Sequence, residues 1–269
     1  MPNLHKYTMG KNNSIKIYNR QIKYPIAGAN PAKKTAHIVG KGTAIMIAEK
    51  EISVYDEEKI FALLYLIQNG KAEIMPTLFD DRPVVKITTK LYRIKKILRN
   101  NNYLNIIESF AKIKGMTLIY DIEKKENGKT IKGKFITSPV IAMKAYEDED
   151  FTVYLDEKYY YYCIEKPIYL NAEYFSIKSP HAKNIYKFLV ANQNQKRISL
   201  ATISERCLFS HYPKYEQRRI VKEALQKINK TSIGKKATYI LEKDYIVITQ
   251  KPKKNKEKKG KPIKSIVTN

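Results

Sequence analysis

Residues 179–230, SPHAKNIYKFLVANQNQKRISLATISERCLFSHYPKYEQRRIVKEALQKINK, decide the reading of the fold. Ser179-Pro180 opens a helix, with a capping side chain followed by proline at the first helical position, where no N–H is required. Ala182, Ile185, Tyr186 and Leu189 then recur at helical spacing. Arg197-Ile198-Ser199 leads into a short helix with Leu200, Ile203 and Cys207 inward, and Thr202 and Glu205 stand at capping-box spacing. Pro213 opens a longer helix, to about Lys230, whose inward face is Val221, Ala224, Leu225 and Ile228. Two extended runs, 237–241 and 245–249, follow as a hairpin turning at Lys243-Asp244.

The same order occurs earlier in the chain. Residues 1–42 are a polar lead-in punctuated by Gly and Pro, and 43–47 read as a strand. Asp56-Glu57-Glu58 opens a helix, with the acids at the positive end of its dipole. Ile60, Leu63, Leu64 and Ile67 form its face, and Gly70 ends it. A short strand at 84–87 precedes a second helix at 88–98, striped by Leu91, Ile94, Ile97 and Leu98. Asn100-Asn101-Asn102 is a turn and cap for a third helix at 103–114, with Leu104, Ile107, Phe110 and Ala111 inward and Gly115 as its stop. Runs at 116–123 and 130–143 flank the turn signal Asn127-Gly128, and runs at 151–155 and 159–164 flank Asp156-Glu157-Lys158. Both halves therefore read helix, strand, helix, helix, hairpin, at a spacing of about 110 residues. The third helices align, with Ile106, Ile107, Phe110, Ala111 and Lys114 opposite Ile220, Val221, Ala224, Leu225 and Ile228. The expected fold is α+β: two tandem winged-helix domains with antiparallel β-hairpin wings, at 43–168 and 169–250. A Lys-rich tail, 251–269, has little apolar content and reads as disordered.

Apolar residues make up 43% of 269, enough to bury a core. Lys and Arg number 51 against 26 Asp and Glu, a formal net charge of +25. Such an excess repels itself on folding and is best tolerated beside a polyanion, of which nucleic acid is the foremost. Lys far outnumbers Arg, and Asn, Ile and Tyr are common, so a compositional bias accounts for some of the Lys. Cys163 and Cys207 lie in apolar segments and read as buried thiols. Residues 1–16 lack an apolar signal core and no run approaches a membrane span, so the expected location is cytoplasmic, with no membrane partner.

In a three-helix unit closed by a hairpin, the third helix enters the major groove and the hairpin reaches backbone or minor groove. The second unit's third helix carries Lys214, Tyr215, Arg218, Arg219, Lys222 and Gln226 on its outer arc. Arg reads guanine and Gln reads adenine bidentately. The competing reading is a solvated basic face. Lys235, Lys236 and Lys243 on the hairpin suit phosphate contact. In the first unit Asn101, Asn102, Asn105, Ser109 and Lys112 face outward, polar but weakly basic, with Glu108 opposing phosphate. A dimer or regulatory interface competes for that face. Tyr159 to Tyr162 read as strand residues packing in the core and on the sheet surface.

Signals for catalysis fail on inspection. Gly128-Lys129-Thr130 resembles the end of a phosphate loop, but Glu123 stands where that motif needs Gly, and the site lies in a hairpin. His5, His37, His181 and His211 are scattered, and Glu147-Asp148-Glu149-Asp150 reads as a solvated turn. No enzyme activity, no cofactor, no metal and no catalytic residue is expected.

The stretch from Leu170 to Leu189 is similar to the segment joining the halves of the tandem winged-helix initiators of bacterial iteron plasmids, the Rep family. Ser179, Ala182, Ile185, Tyr186 and Leu189 fit that family's pattern S-x-x-A-x-x-[IL]-Y-x-[LF]-L. The resemblance covers roughly residues 43 to 250, and departs from the pattern in the long first wing and the Lys-rich tail. It implies a DNA-replication initiator that binds double-stranded DNA at repeated origin sites, opens the origin and recruits host replication proteins, such as an initiator or helicase, and that can form a homodimer. A winged-helix transcriptional regulator would use the same residues, and a DNA-nicking or primase-like enzyme is the alternative from another class. Deleting residues 251–269 removes eight Lys and one Glu. Affinity for any duplex should fall and its salt dependence become shallower, with site preference retained; binding isotherms at several salt concentrations measure this.

Overall fold

Helix α1 (Val54–Gln68) begins and ends by local rules. The Ser53 side chain accepts from the Asp56 N–H, and the Asp56 carboxylate accepts from the Ser53 N–H. Gly70, at φ +65°, takes the left-handed position after the helix. What is not local is its burial: residues on every side of α1 are buried, so it runs through the middle of the molecule.

The computed structural model describes residues 14–18, 36–39, 44–99, 102–126, 129–145, 150–165 and 167–251. Before α1 come β1 (Ser14–Tyr18), β2 (Ala36–Val39) and β3 (Ala44–Ala48). After it come β4 (Glu73–Phe79), β5 (Arg82–Lys90), α2 (Leu91–Leu98), α3 (Tyr103–Lys114), β6 (Met116–Glu126), β7 (Lys129–Thr137), β8 (Val140–Lys144), β9 (Asp150–Asp156), α4 (Glu157–Glu165) and β10 (Pro167–Asn171). A 3-10 turn (Ala172–Ser176) leads to α5 (Pro180–Ala191), β11 (Arg197–Ser199), α6 (Leu200–Arg206), α7 (Lys214–Ile228), α8 (Ser232–Lys236), β12 (Ala237–Glu242) and β13 (Tyr245–Gln250). The sheets are antiparallel, in the orders β2-β3-β6-β7, β4-β5-β9-β8, β11-β13-β12 and β1-β10. The architecture is thus mixed α/β, and helix, strand, helix, helix, hairpin recurs as α1, β5, α2, α3, β6–β7 and α5, β11, α6, α7, β12–β13, with β4 added ahead of β5 and α8 ahead of β12; β11 pairs with its hairpin, whereas β5 and β6–β7 lie in different sheets.

Several elements differ from the sequence reading. The lead-in contributes β1, which pairs with β10 across the junction of the halves, and β2, which pairs with β3. β5 continues through Thr88 and Thr89, paired with Thr152 and Phe151 of β9, so α2 starts only at Leu91. The run at 130–143 breaks at Ser138-Pro139, where proline has no N–H for a ladder, and its two parts join different sheets. Asp156-Glu157-Lys158 is not a hairpin turn: the Asp156 carboxylate accepts the Tyr159 N–H at 2.9 Å and starts α4, which buries Tyr159, Tyr160 and Cys163. The tyrosines do pack in the core, on a helix instead of a strand. Helix α6 is capped by Ser199, which accepts from the Thr202 N–H, so Thr202 and Glu205 form no capping box. Asn127-Gly128 and the tail beyond Lys251 lie outside the described residues.

One continuous hydrophobic core runs through both halves. Phe61 of α1 meets Tyr174 of the 3-10 turn with ring centroids 5.8 Å apart, and Tyr174 meets Tyr186 of α5 at 6.3 Å. Charged groups cross the same seam. Lys183 Nζ lies 2.5 Å from Glu58 Oε2, donates to the Tyr174 carbonyl at 3.0 Å and sits over the Tyr174 ring. Lys187, fully buried, pairs with Glu57. Burial pushes the Glu58 carboxyl up and the Lys183 amine down, and each partner opposes the other's shift. Cys163 and Cys207 are buried and form no disulfide, as expected, and no helix among the described residues is long and apolar enough to cross a membrane.

Replacing one partner of a buried ion pair strands the other's charge, at about 3–5 kcal/mol. Lys183→Met should therefore lose stability of that order in urea unfolding followed by circular dichroism, and adding Glu58→Leu should restore most of it. Simply additive losses would show that the two side chains do not act as a pair.

Candidate nucleic-acid interface

Helix α7 buries Ile220, Val221, Ala224, Leu225 and Ile228 and leaves Lys214, Tyr215, Arg218, Arg219, Lys222 and Gln226 exposed, as expected from the sequence. Tyr215 is 73% exposed. At 3.6 residues per turn, Tyr215, Arg219, Lys222 and Gln226 share the crest of the helix. Lys214 and Arg218 lean toward the β12–β13 hairpin, and Glu216 and Glu223 lie on the opposite flank.

The hairpin turn meets the start of α7 at Asp244. Lys243, in the left-handed conformation at φ 51°, makes the turn. Asp244 Oδ1 accepts from Arg218 Nε at 3.1 Å and Nη2 at 2.8 Å, and Oδ2 lies 2.5 Å from Lys214 Nζ. These hydrogen bonds hold the Asp244 carboxyl below its ordinary range. The Asp244 carbonyl accepts the Leu200 N–H at the start of α6, 2.7 Å away. Nearby, the Arg197 guanidinium of β11 stacks 3.9 Å from the Tyr245 ring. Arg219 points elsewhere: its three nitrogens donate to Glu216 and Glu223, one turn before and one turn after, and hydrogen bonding to Arg219 lowers the Glu216 carboxyl.

Other expected site residues are not brought together. Lys235 and Lys236 are exposed but belong to α8, ahead of the hairpin. With the length of β12 between them and Lys243, they stand roughly 20 Å from the turn. In the first half Asn101 lies outside the described residues. Asn102 caps α3, accepting from the Asn105 N–H, and both side chains are exposed. The inward face of α3 is Ile106, Ser109, Phe110 and Ile113, whereas Leu104 and Ala111 are exposed. Ser109 is therefore not on the outer arc: it is buried and donates to Asp56 Oδ1 at 2.7 Å, and Lys112 Nζ lies 3.7 Å from the same oxygen. A buried carboxylate at the start of α1 attracts both donors and rotates the helix.

The sequence reading placed this helix and its apolar stripe but gave it no part in the interface. Lys96 and Tyr92 are exposed on α2 and Arg99 at its C-cap, and Arg93 donates to the Lys71 carbonyl. The pattern LYRIKKIL carried the signal, with cations filling the positions between its apolar stripe. Asp244 was read only as a turn residue, because its partners lie 26 and 30 positions away in sequence, counted from Arg218 and Lys214. Among the described residues no group of three or more His, Cys, Asp or Glu could hold a metal.

No protein-family model matches this sequence, and no curated protein does either. Among solved structures the fold is similar to a crystal structure of domains 2 and 3 of RctB, with a TM-score of 0.52 at 10% identity over 88% of this chain and 99% of that one. A second crystal structure of RctB domains 2–3 aligns at TM-score 0.49 and 13% identity, covering 86% and 96%. At these identities the likeness is one of fold.

Ser109→Ala should lower stability by about 1–3 kcal/mol, since a buried carboxylate loses a donor, and leave duplex binding unchanged. Lys222→Ala should leave thermal stability within about 0.5 kcal/mol and weaken duplex binding. Melting curves and binding isotherms on both variants test the division.

Proposed function

We propose that the protein is a replication initiator of the plasmid Rep type that binds duplex DNA in a sequence-specific way. In this reading each half is a winged-helix unit, α7 enters the major groove, and the β12–β13 hairpin lies on adjacent backbone. The observation that carries it is the continuous exposed surface made by Lys214, Tyr215, Arg218, Lys222 and Gln226 with the hairpin turn, on a chain of net charge +25. Arg and Gln supply base-reading groups, and the lysines supply phosphate contacts. The fold likeness to domains 2 and 3 of RctB supports the two-unit reading, while the initiator role rests on the motif at Ser179, Ala182, Ile185, Tyr186 and Leu189. In the first half the exposed cations of α2 favour a backbone contact over base reading by α3. The proposed location is the cytoplasm, on the nucleoid or plasmid, with host replication proteins as further partners and no catalysis by this chain.

Footprinting on the DNA flanking the gene tests the reading. Protection of repeated sites supports an initiator; a single site overlapping a promoter favours a regulator; and cleavage of supercoiled DNA in the presence of metal would overturn the non-enzymatic reading. Lys222→Ala should weaken binding to all sequences alike and reduce the slope of log affinity against log salt by about one unit, measured across a salt series.

A further inference from the structure

The inference rests on the DNA-binding reading above and assigns a role to an acid on the binding face. We infer that Asp244 selects Arg218, and not its neighbour Arg219, as the base-reading arginine of α7 and holds it in position for a guanine edge.

The geometry of the two guanidiniums separates them. A guanidinium has five N–H donors, one on Nε and two on each terminal nitrogen. Asp244 takes the side edge of Arg218 through Nε and Nη2. That leaves the end-on fork, one N–H from each terminal nitrogen, which matches the O6 and N7 acceptors of guanine in the major groove. Arg219 has Nε and Nη2 on Glu216 and Nη1 on Glu223, so all three of its nitrogens already donate to acids and a base must compete with Glu223 for Nη1. Arg218 is thus held on one side with Nη1 left for a base, whereas Arg219 is held on both.

Asp244 is itself fixed from several directions. Its carbonyl is held by the Leu200 N–H, its second carboxylate oxygen by Lys214, and its backbone by the closing pair Glu242 and Tyr245 of the hairpin. The carboxylate joins the hairpin turn to the first turns of α7, and the carbonyl joins it to the start of α6. It also lowers the local positive charge, which works against contact with any phosphate. An acid in that place weakens indiscriminate binding while setting the direction of one arginine.

The test uses the full chain and a random-sequence duplex library, selected and sequenced for wild type, Asp244→Ala, Asp244→Asn, Arg218→Ala and Arg219→Ala. Asp244→Ala should lose about tenfold in discrimination at one base pair. It should bind random duplex more tightly, with a salt slope steeper by about one unit, because Lys214 is released. Asp244→Asn keeps an oxygen that accepts from Arg218, so it should retain most of the discrimination while sharing the tighter random binding. Arg218→Ala should lose the same base preference as Asp244→Ala, and Arg219→Ala should keep it. Unchanged preference in Asp244→Ala, or loss of preference in Arg219→Ala with Arg218→Ala unaffected, overturns the assignment while leaving duplex recognition intact. A wild-type selection without any preferred sequence overturns the DNA-reading proposal and this inference together. Melting temperatures close to wild type confirm that the variants fold, since exposed ion pairs contribute little stability.

Discussion

Two neighbouring carboxylates on α1, Glu57 and Glu58, meet two lysines one turn apart on α5, Lys187 and Lys183, inside the protein, and the placement of the other elements depends on that meeting. Charges are tolerated away from water only when paired and hydrogen-bonded. An apolar seam between two helices can slide or rotate by a fraction of a residue without large loss. Two ion pairs of hydrogen-bond length cannot, because each fixes both the rotation of a helix about its axis and its position along it. Tyr174 completes the arrangement, with its carbonyl on Lys183 and its ring packed between Phe61 and Tyr186.

The lock reaches the candidate interface through α5. That helix packs against α1 on one side and α7 on another, so the orientation of α7 follows from the ion pairs and the apolar face they align. β1 ties the junction again by pairing with β10 just before the 3-10 turn. The halves of the chain repeat one order of elements, yet they share a core and carry different charges on their third helices.

Features set by near neighbours in sequence were legible from it. The Gly70 stop, the Ser179-Pro180 start, the inward stripe of α7 and the turn at Lys243-Asp244 each follow from a few adjacent residues. The β4–β5 hairpin was equally local, since Asp80 and Asp81 both take the left-handed conformation its tight turn requires, and it was passed over. Features with distant partners were not legible. Asp56, Glu57 and Glu58 look like acids that complement a helix dipole; the dipole argument is sound, but it gives no hint that Ser109, Lys187 and Lys183 are their partners. The outward reading of Ser109 failed for that reason, and Tyr159–Tyr162 changed from strand to helix because a single Asp156 cap outweighed their β propensity. At the interface the exposed residues of α7 were placed correctly from periodicity, whereas the partners that differentiate Arg218 from Arg219 came only from the fold.

On the proposed DNA-binding reading, a chain with this net charge has no need of further cations to find DNA, so the acids held against the α7 arginines call for explanation. Glu216, Glu223 and Asp244 sit against the two arginines of the helix. A face made only of lysine and arginine would hold every duplex through its phosphates, and sequence would alter its affinity little. Acids weaken that common term for all sequences equally. They leave the affinity of a correct site to depend on base contacts that only a guanidinium in the right direction can make, and specificity is the difference between the two. In that reading the long-range attraction comes from the net charge of the whole chain, while discrimination is concentrated where that charge is locally cancelled. On this argument the informative residues of a strongly basic DNA-binding surface are its few carboxylates, because each identifies a cation whose direction matters more than its charge.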